Sequence, residues 1–93
     1  MIAHPNRSRS RLAQYGARLR TIDGQKVVEM VDPNDNSRAR YQYQRYNDVL
    51  LRRVLNADGK TVVTDWTALT RDELASLIRT RGEYHPILDP LGF

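Results

Sequence analysis

A chain of 93 residues makes one small domain, and the absence of cysteine excludes both a disulfide framework and thiolate metal sites. Fifteen Lys+Arg against eleven Asp+Glu give a net charge of +4 and a pI near 9.9, with no apolar run long enough to span a bilayer. No membrane partner is therefore expected, and a cysteine-free chain without an apolar leader fits the cytoplasm.

The charge is uneven. Residues 1–53 carry eleven Arg/Lys and five Asp/Glu, whereas residues 54–93 carry four and six. A positive field over the first part suits nucleic acid or an acidic protein. Residues 1–12 read as a flexible basic arm. His4-Pro5-Asn6-Arg7-Ser8-Arg9-Ser10-Arg11 lacks apolar periodicity, and Arg7, Arg9 and Arg11 are spaced to reach phosphates. The first six or so residues also resemble the openings of many small phage and plasmid proteins. That likeness suggests a mobile element and implies no function.

Residues 13–93 read as a single α+β domain. Ala17–Ile22 and Gln25–Val31 flank Asp23-Gly24, a turn that demands positive φ at both positions and fixes the register. Leu19 then faces Val28 and Ala17 faces Met30 on one side of the hairpin, with Arg18 facing Glu29 on the other. Asp32, Asn34 and Asn36 mimic the start of a calcium loop. Ser37 stands where that loop needs glycine and Tyr43 where it needs glutamate, so Asx turns are expected instead.

Arg38–Tyr46 alternates, with Ala39, Tyr41 and Tyr43 on one face and Arg38, Arg40, Gln42 and Gln44 on a wet face. A turn at Asn47-Asp48 sets Tyr41 opposite Val54 and Tyr43 opposite Arg52. Asp48–Leu55 reads as a strand, with a helix as the alternative. Through the Asp58-Gly59 turn it pairs Leu55 with Val62, Val54 with Val63, Arg52 with Asp65 and Leu51 with Trp66.

The spacing predicts a helix over Arg71–Arg81, capped by Thr70 with Glu73 completing a capping box and stapled by Leu69 and Leu74. Its buried stripe is Leu74, Leu77 and Ile78, and Gly82 is placed to stop it. The tail, residues 83–93, is too apolar to be free. It is expected to fold back over the core, while Tyr84, Ile87, Leu88, Leu91 and Phe93 are the candidate partner-binding residues, for a second copy of the chain or another protein.

The fold expected is a bent antiparallel sheet or small partly open barrel of about five strands, with one C-terminal helix. An SH3-like barrel is its most specific form. No nucleophile–base pair, metal cluster or glycine-rich phosphate loop is present, so neither an enzyme nor a cofactor is expected. His4 and His85, both followed by proline, lie outside the regular elements. The leading functional expectation is a non-enzymatic protein that binds DNA or RNA through Arg7, Arg9, Arg11, Arg38, Arg40 and Arg53. The alternative, from another class, is an interaction or scaffold module that turns its basic face on an acidic protein and dimerises through the tail.

Overall fold

The computed structural model describes residues 7–31 and 36–93. Two helices, α1 (Arg7–Gln14) and α2 (Arg71–Arg79), bracket five strands: β1 (Ala17–Ile22), β2 (Gln25–Val31), β3 (Arg40–Tyr46), β4 (Val49–Leu55) and β5 (Val62–Ala68). The strands form one antiparallel meander in sequence order. The α+β architecture is as expected, a five-stranded antiparallel open sheet with β1 and β5 at its edges and one helix C-terminal to it.

The first hairpin follows its turn. Asp23 and Gly24 have φ of 52° and 78°, and Ala17 faces Met30, Arg18 faces Glu29 and Leu19 faces Val28. At the turn between β3 and β4, Asn47, with φ 54°, supplies the positive φ that asparagine tolerates. Tyr41 pairs with Val54 and Tyr43 with Arg52, and residues 49–55 are a strand, which removes the helical alternative.

Three expectations need correction. Arg7–Gln14 is helical, so residues 7–12 are not an extended arm; Leu12, 6% exposed, packs into the core and anchors the helix there. Residues 1–6 and the 32–35 stretch of the calcium-like loop lie outside the described residues. The β4–β5 register begins as expected with Leu55 opposite Val62, then slips one residue at each of two irregularities. Thr64, not Val63, faces Val54, Thr67, not Asp65, faces Arg52, and Ala68, not Trp66, faces Leu51. Each slip inserts an unpaired residue into β5, which is the geometry of a β-bulge. Finally, α2 stops at Arg79 with Thr80 as C-cap, two residues short of Arg81. Its stripe is narrower than expected because Ile78 is exposed.

The capping box of α2 forms in full: the Glu73 amide donates to Thr70 Oγ1 at 3.1 Å, and the Thr70 amide donates to Glu73 Oε1 at 2.9 Å. The bond from the Thr70 amide is the main cause that holds the Glu73 carboxyl below its usual range. Leu74 and Leu77 pack against a core built from Leu12, Ala17, Val28, Leu50, Ile87, Leu88 and Leu91. The tail thus covers one face of the sheet, the core face, as the folded-back expectation had it. On that face lie Ala17, Val28, Met30, Tyr43 and Leu50.

The tail is tied down by polar contacts as well. His85 Nδ1 accepts from the Ile87 and Leu88 amides at 3.1 and 3.2 Å, so the bound ring has Nδ1 unprotonated. Burial, aided by the nearby Arg81 charge, pushes the His85 pKa down. Asp89 accepts from the His85 amide at 2.9 Å and pairs with Arg81, whose guanidinium also donates to the Phe93 carbonyl at 2.7 Å. Arg45 donates to the Gly92 carbonyl at 2.6 Å and lies 4.4 Å over the Phe93 ring.

Candidate functional site

The opposite face of the sheet is polar, and the register assembles it row by row. Directly paired residues share a face. Arg18 on β1, Glu29 on β2, Gln42 on β3 and Arg53 on β4 therefore form one transverse row. The slips in β5 bring Trp66 to the end of that row, where the Arg53 guanidinium lies 4.8 Å from the centre of its ring. The same face also carries the pairs Arg20–Val27 and Gln44–Leu51, and a further row holds Val31, Arg40 and Leu55.

The charges in this surface are ordered from below. Glu29 is only 3% exposed. It accepts from Arg20 at 2.9 and 3.1 Å and from Arg18 at 3.3 Å, and it pairs with Arg40 at 3.7 Å. Burial alone would raise its pKa, but the hydrogen bonds and charges of Arg20 and Arg18 outweigh that and hold it below the usual value. One buried carboxylate thus gathers three guanidinium groups whose side chains keep 62%, 41% and 34% of their surface exposed, for Arg18, Arg20 and Arg40. Gly59 makes room for Arg40: a Cβ there would stand 3.2 Å from Nη1.

Gln42, 2% exposed, does the same for the other end of the row. Its Oε1 accepts from Arg53 Nε at 3.1 Å and from Nη2 at 2.6 Å, which fixes the guanidinium over Trp66. Gln42 was expected on a wet face. It is buried instead, with the Arg53 guanidinium bound to its side-chain oxygen. The rows thus hold four arginines and one carboxylate, which pairs with three of them. Asp58 and Asp65, at the margin, are committed to backbone amides: Asp58 accepts from Lys60 and Thr61 at 2.8 and 2.9 Å, Asp65 from Trp66 at 2.7 Å.

The expected nucleic-acid contacts divide among different surfaces. Arg40 and Arg53 lie on the polar face, and exposed Arg38 precedes β3 with φ 55°. Arg11 stacks 4.3 Å from the Tyr84 ring, on the core side of the sheet. Arg7 and Arg9 belong to α1 by backbone; their side chains lie outside the described residues. Arg18, Arg20, Gln42 and Trp66 complete the polar face and were not singled out from sequence. The hairpin register already aimed Arg18 at Glu29, so that part was available; Trp66 was hidden by the slips. Among the expected partner-binding residues, Ile87, Leu88 and Leu91 are buried in the chain's own core. Tyr84 lies under Arg11 and Phe93 under Arg45.

On the core side an open groove of about 550 Å³ runs between the sheet and α2, lined by Tyr43, Arg52, Asp72, Glu73, Ser76 and His85 among others. Two of its polar groups already have structural work. Glu73 caps α2, His85 Nδ1 holds the tail, and burial raises the Tyr43 phenol. Among the described residues no group of three or more His, Asp or Glu side chains could hold a metal ion, and no helix is long and apolar enough to cross a membrane. Comparison with protein families, curated proteins and solved structures finds no match.

Proposed function

We propose that this chain is a non-enzymatic nucleic-acid-binding protein whose contact surface is the polar face of the sheet. The observation that carries the reading is the grouping of four arginines on one sheet face, Arg18, Arg20 and Arg40 around one buried carboxylate and Arg53 on the buried Gln42 amide. Arginines held this way meet phosphate with their side-chain entropy already spent, and their forked donors suit its oxygens. Exposed Arg38, in the loop before β3, adds a further cation for phosphate in this reading.

The test is fluorescence polarisation of labelled DNA and RNA across a salt series, with poly-glutamate as a competitor. Affinity is expected to fall steeply with salt. Arg18→Ala with Arg38→Ala is expected to make the log–log slope shallower by about 0.7 to 0.9 for each phosphate left without its arginine. No binding at low salt, or binding that salt does not weaken, overturns the reading. Displacement by poly-glutamate at an equal concentration of charge would point instead to an acidic protein as the partner.

A further inference from the structure

We infer that the ligand of the polar face is single-stranded, and that one of its unpaired bases stacks on the Arg53–Trp66 pair. This rests on the nucleic-acid reading above and says which form of nucleic acid the face takes.

The reasoning starts at the end of the transverse row. Trp66 is half-buried, and the strand carrying it is otherwise exposed. The guanidinium of Arg53 lies over its ring and is gripped by Gln42, which is itself buried and has no freedom to follow it away. A guanidinium and an indole are both stacking surfaces for a nucleobase, and here the pair is assembled before any ligand arrives. Such a platform reaches a base only when the base is unpaired, because a duplex hides its base faces in its own stack. Reading a duplex through its major groove takes an element that projects into it, usually a helix or a two-stranded ribbon. Leu12 of α1 and Leu74 and Leu77 of α2 pack into the core on the other face, so neither helix is set to project from this one.

The phosphate-binding groups sit where a single strand would need them. Arg18 is three strands from Arg53 along the same row, roughly 14 Å at the usual spacing between strands. A strand laid across the sheet would set a base against Trp66 at one end and its phosphates against Arg18 and Arg20 at the other, with Arg40 of β3 between them. Electrostatic contact at one end with an aromatic platform at the other is the general chemistry of single-strand capture.

Trp66 is the only tryptophan in the chain, so its emission reports on this site alone. The experiment titrates the full chain with a single-stranded oligonucleotide, its duplex, and an abasic strand of equal length, following both polarisation and tryptophan emission. The single strand is expected to bind at least about ten-fold tighter than the duplex and to change Trp66 emission at saturation, with the abasic strand weakened. Trp66→Ala should lower single-strand affinity by about 5- to 100-fold with the salt slope unchanged, and Trp66→Phe should recover most of the loss. Duplex binding as tight as single strand, unchanged emission at saturation, or an abasic strand bound as well as the normal one overturns this inference and leaves the nucleic-acid reading standing. Failure of every nucleic acid to bind overturns both. The abasic comparison uses the wild-type chain, so it holds even if Trp66→Ala does not fold.

Discussion

The two faces of one sheet solve burial in opposite ways. On the core face, Val28 and Leu50 are fully covered because an apolar tail and two helices lie over them. On the polar face, Val27, Glu29, Gln42 and Leu55 are equally inaccessible, yet none of them belongs to that core. What surrounds them there is arginine: a long apolar stem that lies along the sheet, with a charged head left near water. The difference teaches that a buried carboxylate can sit on a nominally wet face, provided that every oxygen it hides finds a donor. Among the described residues, no buried side-chain nitrogen or oxygen is without a hydrogen-bond partner.

The contrast is broken most severely on the core face. Leu88 is 0% exposed at the centre of the tail, and Leu88→Ala should cost about 2–5 kcal/mol. In a domain of this size each kcal/mol lowers Tm by about 4–8 °C, so thermal unfolding followed by circular dichroism measures it.

A smaller loss is expected on the polar face. Glu29→Gln removes the charge that three half-exposed arginines share, and water can take up part of the slack, so about 1–3 kcal/mol is expected. The pH profile separates this from a packing defect. Because the folded carboxyl titrates below its ordinary 4.5, its stabilisation is complete above that pH and is lost as pH falls through the folded value. The wild type should therefore lose Tm below pH 4.5 more steeply than Glu29→Gln.

The smallest effect belongs to the tail's polar clasp. His85 binds its proton less readily in the fold than its ordinary 6.5, since a proton on Nδ1 would displace the Ile87 and Leu88 amides. Its contribution, about 1 kcal/mol, is present above pH 6.5 and declines as pH falls through the lowered folded value. Tm measured between pH 8 and 5 should fall in the wild type, and His85→Ala should start lower and vary less.

How much of this could be read from the chain depended on whether the register was announced. Asp23-Gly24 sets two positive φ values, and every pairing of the first hairpin follows, down to Arg18 against Glu29. The capping box at Thr70 and Glu73 likewise marks the start of α2 unaided. The bulges of β5 have no such marker. Neither Val63 nor Asp65 is a residue that favours one, so the expected Arg52–Asp65 pair dissolved and Trp66 arrived beside Arg53 unannounced. Helix α1 was missed for a related reason. Its sequence has no acidic residue in the first turn, and its one buried described side chain, Leu12, acquires meaning only once Val28 and Leu88 stand opposite.

Those same bulges bear on how the molecule keeps to itself. The β1 edge is guarded by the charges of Arg18 and Arg20, whereas β5 leaves Val62 and Val63 at 46% and 59% exposure along an edge with a single charged residue, Asp65. A flat border of that kind invites a foreign strand to add itself, and then another. Two local kinks within seven residues deny the newcomer an even line of donors and acceptors. The exposed valines of that border are thereby kept from offering a regular ladder to a second chain.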